Sequence, residues 1–249
     1  MSKARIGTMG WSYDHWLGNF YPPGTASGDL LTEYAKHFDT VEVNSTFYRV
    51  PYRSTIEIWK NKTPEGFTFA AKIPRGVTYG AELGENCEKM DVFIENISLL
   101  GGKLGPLLIQ LPPKYKPDRV ENLGDFLTSL PRGHRYAVEF RDRGWFDLSV
   151  YELLKEYGVA LVLVDNSWMP ELGVMTAYFT YIRWQGDRRQ VGGESGKVEI
   201  DRSSDIAKWA ERISRFLDES IDAYGFFSKF YSGHPPTDAK LLLEYFVSS

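Results

Sequence analysis

The chain has 249 residues, 43% hydrophobic and 25% charged, with a formal net charge of −4. That composition fits a soluble globular protein with one large domain or two small ones, and it excludes a wholly basic nucleic-acid coat. One cysteine, Cys87, excludes an intramolecular disulfide framework and a cysteine zinc cluster. The opening MSKARIGTMGW has no signal-like apolar run, and no stretch approaches the roughly 20 apolar residues of a bilayer span. A cytoplasmic location without membrane contact is expected.

Eight short apolar segments ending in polar residues read as strands, separated by stretches of helical period. RIGTMGW comes first, followed by a helical stretch over 29 to 38. TVEVNS is next, and Ser54 with Glu57 has the spacing of a capping box for the helix behind it. FTFAAKIPR precedes a helix over 85 to 100, on whose apolar stripe Cys87 is expected as a core thiol. GPLLIQLPP leads to the stripe Val120, Leu123, Phe126, Leu127 and Leu130, with Asp118 and Glu121 as a second capping box. YAVEFRD is followed by a helix that Asp147 starts and that stops near Gly158. ALVLVDN leads into NSWMPELGVMT, residues 166 to 176, too interrupted by Pro and Gly for a full helix. AYFTYIRWQG precedes the stripe Ile206, Trp209, Ala210, Ile213, Phe216 and Leu217, capped by Ser203 or Ser204, and AYGFFSK precedes a helix over 237 to 247.

Eight strands alternating with about seven helices predict an α/β fold: a single TIM-type (β/α)8 barrel domain over residues 1–249, with a degenerate helix after strand six. A doubly wound open sheet is the competitor. Against it, the first strand-to-helix turn, GTMGWSYDHW, lacks GxGxxG, and no GxxxxGK occurs.

Alternate strand residues face opposite ways, so a barrel sends one set under the helices and the other into the lumen. With Val41, Val43, Phe69, Ala71, Val138 and Phe140 outward, Glu42, Asn44, Lys72, Glu139 and Arg141 face inward; the same rule places Gln110, Asp165 and Arg183 inward. All stand at C-terminal strand ends, where barrel enzymes build their sites. A purely structural alternative is a buried, mutually paired ion network. Barrel dimensions bring Glu42 and Glu139 to within roughly 4 to 6 Å of each other across the lumen.

Around that end the strand tips and loops carry ten basic residues against five acidic ones, which favours an anionic ligand. Arg75 and Arg183 are candidate phosphate anchors, and the loop RWQGDRRQVGGESG adds guanidinium groups. Trp11, Tyr13 and Tyr48 are among the rings placed to stack on sugars or bases. His15 and His234 fall in loops of this end without a partner at ligand spacing, so zinc is not expected. No cofactor is required by these residues; a Mg²⁺ or Mn²⁺ held by Glu42, Glu139 or Asp165 is the metal reading kept open.

GTMGWSY, TVEVNSTFYRVP, FTFAAKIPR, KLGPLLIQLPP and AVEFRDRGWF together resemble the YecE-like family, also called domain of unknown function 72, across nearly the whole chain. The resemblance implies a TIM barrel and no particular activity. Its recurrent polar positions fall on Trp11, Ser12, Tyr13, Glu42, Asn44, Ser45, Thr46, Tyr48, Lys72, Arg75, Gln110, Glu139, Arg141, Asp165 and Arg183. Two places depart from it: Gln185 stands where the family tends to show histidine, and Ser228 and Lys229 replace paired asparagines.

The first functional expectation is an enzyme, a hydrolase or lyase, acting on an anionic substrate: a phosphate-bearing sugar, nucleotide or nucleic acid. Glu42 and Glu139 are its acid/base pair, with Lys72 and Arg141 stabilising negative charge. The alternative is a non-catalytic module binding a nucleotide or nucleic acid, with a structural ion network in the barrel. A third is Schiff-base chemistry at Lys72.

Overall fold

The apolar segments form eight parallel strands: β1 Ala4–Thr8, β2 Thr40–Val43, β3 Thr68–Lys72, β4 Leu104–Gln110, β5 Tyr136–Glu139, β6 Ala160–Asp165, β7 Phe179–Trp184 and β8 Asp222–Phe227. This is a computed structural model and describes residues 2–80, 83–84, 87–170 and 173–247. The strands pair in the order β1-β8-β7-β6-β5-β4-β3-β2. At the remaining seam, Met9 bridges Glu42 and the Gly10 N–H donates to the Glu42 carbonyl at 2.8 Å, which brings the sheet to near closure. The expected (β/α)8 barrel is what the chain forms.

The helices are α1 Leu30–Tyr34, α2 Arg53–Asn61, α3 Arg75–Thr78, α4 Cys87–Ile97, α5 Val120–Ser129, α6 Leu148–Glu156, α7 Ser203–Asp218, α8 Lys229–Ser232 and α9 Pro235–Val247. The periodic stripes seat them: Ile206, Trp209, Ala210, Ile213 and Phe216 are the buried residues of α7, and Leu123, Phe126 and Leu127 those of α5. Between β6 and β7 no helix occurs among the described residues; positions 171 and 172 of that expected irregular stretch, like 85 and 86 of the expected α4 region, lie outside them.

Several local expectations change. Neither expected capping box forms: α2 follows Tyr52 and α5 follows a 3-10 turn over Pro117–Arg119, both without a side-chain cap. At α7 the acceptor is Asp201, whose Oδ1 takes the Ser203 N–H at 2.8 Å, so the serines lie just inside. Asp147 caps α6 as expected, accepting from the Ser149 N–H at 2.9 Å. Cys87 is exposed at the first turn of α4. With the helix beginning there, its stripe falls instead on Met90, Phe93 and Ile97.

Both strand faces are buried, as parallel sheets require. Outward residues such as Val41, Phe69, Ile109, Val138, Leu161 and Trp184 pack under the helices. The lumen is filled separately by Ala70, Leu108, Ala137, Ala160, Val162, Phe179, Tyr181, Tyr224 and Phe226. Small residues on β3, β5 and β6 thus face rings on β7 and β8, so a narrow barrel is packed without a pore.

Candidate active site at the barrel mouth

Above this apolar layer the inward side chains turn polar on four strands. Ala70 is followed two residues later by Lys72, Leu108 by Gln110, Ala137 by Glu139 and Tyr181 by Arg183. Glu42 joins them from β2. Glu42, Glu139 and Arg183 are 0%, 1% and 4% exposed.

Arg183 is the hub. Its Nε and Nη2 donate to the two oxygens of Glu42 at 3.0 and 2.9 Å, and Nη1 donates to Glu139 Oε2. Nη2 also approaches the Met9 sulfur at 3.4 Å. Tyr181 O–H and Asn44 Nδ2, each at 2.8 Å, complete the four acceptor positions of Glu42. Glu139 Oε1 accepts from Gln110 Nε2 at 2.8 Å and from Gln185 Nε2 at 3.1 Å. One acceptor position of Glu139 Oε2 and one Nη1 N–H of Arg183 have no partner among the described residues. Lys72 Nζ donates to Gln110 Oε1 at 2.7 Å and lies 3.8 Å from the centroid of the Phe47 ring.

Charge and burial tune these groups in opposite directions. Burial alone would raise the Glu139 carboxyl, but Arg183 and Lys72 draw it below the ordinary glutamate value. Burial would weaken Arg183 as a cation; Glu139 and Glu42 outweigh it and hold the guanidinium charged. Lys72 is moved down to about 8, chiefly by desolvation and then by the Arg183 charge, with Glu139 and Glu42 opposing. Its amine therefore has a populated neutral form near physiological pH, which an ordinary lysine lacks.

A cavity of about 490 Å³ opens on this floor. Gln110, Arg141 and Arg183 line it from the barrel; Trp168, Gln185, Asp187, Arg188 and Arg189 line it from the loops after β6 and β7, with Ser228 from just after β8 and Phe230 from α8. Four arginines face one aspartate there. Asp187 is already committed to Arg189, with Nη2 to Oδ2 at 2.8 Å, and this contact keeps the carboxyl down at about 2. The Arg189 guanidinium lies 5.6 Å from the Trp168 ring centroid.

Of the residues singled out from sequence, Gln110, Arg141 and Arg183 reach the cavity, while Glu42, Glu139, Lys72 and Asn44 form the layer behind it. Tyr13 lies beside that layer: its O–H donates to the Met9 carbonyl at 2.5 Å, and burial, with Glu42 adding, pushes the phenol up to about 12. Ser45, Tyr48 and Arg75 are exposed at the loops after β2 and β3 and do not line the cavity.

Two placements are corrected. Asp165 faces outward, not into the lumen, because Val162 and Val164 take the inward positions of β6; its Oδ2 accepts from Trp209 Nε1 on α7 at 2.7 Å and from Tyr231 O–H at 3.3 Å. Trp11 packs edge-on against Trp59 of α2, ring centroids 5.7 Å apart, within the helix-side core. Of Glu42, Glu139 and Asp165, the carboxylates considered for a Mg²⁺ or Mn²⁺, a guanidinium joins the first two and the third faces outward. Among the described residues no three metal-ligating side chains converge elsewhere. Sequence reading passed over Tyr181 and Met9; the alternation Phe179, Tyr181, Arg183 on β7 would have found the first.

No helix among the described residues is long and apolar enough to cross a membrane. In comparison with known proteins, the sequence profile described as "Protein of unknown function DUF72" matches residues 5–248. The chain is 31% identical over 166 residues to the UPF0759 protein YecE of Escherichia coli K12, an alignment covering 65% of this chain and 58% of YecE. It is 28% identical to UPF0759 protein YunF of Bacillus subtilis, covering 96% of this chain and 93% of YunF. Among solved structures, a DUF72 family protein from Thermotoga maritima superposes with a TM-score of 0.82 at 26% identity, covering 99% of both chains. One from Enterococcus faecalis has a TM-score of 0.78 at 20% identity, covering 100% of this chain and 99% of that one, which bears on the fold alone. A profile match over nearly the whole chain, on a barrel shared with solved members, means that the chain belongs to the DUF72 family.

Proposed function

We propose that the barrel mouth is the active site of an enzyme for a small anionic substrate carrying a phosphate group, such as a sugar phosphate or nucleotide, with hydrolytic or lyase chemistry. The observation that carries this reading is the cavity itself: arginines from two segments, after β5 and at the end of β7 with its following loop, converge over a floor that ends in a buried amine of lowered pKa. Arg141, Arg188 and Arg189 bind the anion, and the free Nη1 N–H of Arg183 orients it. Lys72 exchanges the proton. It stands one hydrogen bond behind the cavity wall, and a substrate anion replacing Gln110 as its partner draws Nζ forward. Glu42 and Glu139 act differently from a free acid/base pair: they hold Arg183, and Glu139 retains one acceptor position for a substrate hydroxyl or water.

The test is a panel of sugar phosphates, nucleotides and short oligonucleotides, screened by thermal shift and then for turnover. At least one phosphate-bearing compound should stabilise the chain. Arg188→Ala/Arg189→Ala should weaken that binding at least tenfold, and Lys72→Met should abolish turnover while binding persists. Phosphate compounds that neither bind nor depend on the loop arginines would overturn the proposal.

The saturation of all four acceptor positions of Glu42 favours a second reading, a binding module without catalysis. Under it, nucleotides or oligonucleotides bind with steep salt dependence, no panel member is converted, and Lys72→Met changes only stability.

A further inference from the structure

The N-terminal end of the barrel holds a cavity of about 450 Å³, nearly as large as that at the mouth. We propose that it is a second, independent site for a phosphoryl dianion borne on a small organic group. Nothing in the function proposed for the mouth requires it, and in this fold that end ordinarily serves stability.

Two guanidinium groups flank one ring at this end. Arg5 of β1 and Arg135, just before β5, lie 5.7 and 5.8 Å from the Tyr224 centroid. Only Arg135 has a carboxylate at ion-pair distance among the described residues, Asp222 at 3.3 Å; it also donates to Tyr224 O–H at 2.5 Å. Asp222 is further occupied by the Lys3 backbone N–H at 3.0 Å. Arg5 Nε is buried and has no hydrogen-bond partner among the described residues. Asp39 is near enough to feel the Arg5 charge and does not pair with it. Among the side chains that line the cavity, two guanidinium groups stand against the one carboxylate of Asp222, an imbalance at the cavity wall that a shared anion relieves.

The walls suit such a ligand. Gly101, Gly102, Gly105 and Gly133 line the cavity together with His134 and Ser98, so part of its wall is backbone without side chains. Gly101 sits at φ 59°, ψ −128°, a conformation open only to glycine. At Gly102 and Gly133 a Cβ would meet nothing within 4 Å. The cavity exceeds the size of phosphate alone, so the phosphoryl group fits between the arginines with room for its substituent.

Gly102 also supplies the cleanest test. Its φ is not positive and a Cβ there would meet nothing within 4 Å, so Gly102→Asp adds a carboxylate at the cavity wall without strain on the backbone. Titrations with inorganic phosphate and with ribose 5-phosphate are run calorimetrically in an Arg188→Ala/Arg189→Ala background, which weakens the mouth. One binding event should remain, tighter for the ester. Gly102→Asp and Arg5→Gln should each weaken it at least tenfold, whereas Lys114→Gln, removing one exposed charge elsewhere, should change it less than twofold. Arg135→Gln is not relied on, because it also breaks the bonds to Asp222 and Tyr224. Binding that survives Gly102→Asp and Arg5→Gln, or that is absent from this background while present in the wild type, overturns the second site without touching the proposal for the mouth.

Discussion

Replacing Arg183 by Met removes the one cation that touches both buried carboxylates. Glu42 loses two of its four hydrogen bonds and Glu139 one of its three, in side chains 0% and 2% exposed. Breaking a buried ion pair from one side costs about 3–5 kcal/mol, because the remaining charge stays desolvated. With two carboxylates abandoned, the upper end of that range is expected near pH 7.5. The pH dependence separates this cause from simple loss of packing. In the wild type Glu139 titrates below its unfolded value, so its contribution is present above the unfolded pKa and is lost as pH falls through the folded one. In Arg183→Met, desolvation without that counter-ion raises the folded pKa of the Glu139 carboxyl above the unfolded value. Its protonated form then stabilises the fold at low pH, and that stability is lost as pH rises through the raised pKa. The gap between wild type and variant should therefore narrow from pH 8 to pH 5, by about 1.4 kcal/mol for each unit of pKa displacement. Urea denaturation at fixed pH steps measures it. Glu42→Gln in the Arg183→Met background should recover about 1–2 kcal/mol at pH 8 by removing one abandoned charge. A gap that stays constant with pH, together with no recovery in the double variant, would refute the reasoning.

Lys72 titrates near 8 in the folded chain and near 10.4 unfolded, so between those values only the unfolded state holds its proton and stability rises with pH. Lys72→Met should remove about one proton's worth of slope from pH 8.5 to 10 in the same denaturation series; equal slopes would contradict the assignment. Asp165→Asn should cost about 1–2 kcal/mol in thermal unfolding through its bonds to Trp209 and Tyr231, yet leave phosphate binding at the mouth within twofold, since its carboxylate faces α7. Gly186→Ala, at φ +63°, would place a Cβ 2.1 Å from the Phe230 carbonyl oxygen, so α8 or the loop after β7 must shift at the edge of the cavity. Destabilisation of at least about 2 kcal/mol and weakened phosphate binding are expected, and a variant that unfolds and binds like the wild type would show the loop to be slack.

The barrel was legible because the apolar segments and their spacing dictate it, and so was the facing of Glu42, Lys72, Glu139 and Arg183, which parity alone decides. Parity failed at Asp165 because ALVLVD is apolar on both faces, so nothing in the segment itself says which set faces in; the rings on α7 and after β8 decided it. At α7 the expected serine cap failed because neighbouring acceptors compete for the same N–H groups, and Asp201 was the one that won; at α2 and α5 the boxes have the spacing but no side chain caps either helix. What sequence could not give was the partnering of the carboxylates. A gap of a few ångströms between Glu42 and Glu139 was inferred from barrel dimensions, but those dimensions do not say that Arg183, two strands from Glu139, would reach both. Position 185 was read only as the loss of a histidine, whereas the amide there donates to Glu139 and so belongs to the same assembly.

The change from apolar to polar on successive inward positions bears on why this assembly exists. Ala70, Leu108, Ala137 and Tyr181 fill the lumen adequately, and further apolar residues above them would extend that core at no desolvation cost. Instead β3, β4, β5 and β7 all switch to charged or amide side chains at the next inward position, and β2 contributes Glu42. With Glu42 and Glu139 opposed by Arg183 and Lys72, the layer is electrically balanced, whereas Arg141, Arg188 and Arg189 line the cavity above it. Under the function proposed above, that division assigns anion binding chiefly to the loops and geometry to the strands. A rigid floor requires that its members have few alternative partners, and Glu42, with every acceptor position filled, meets that requirement most fully.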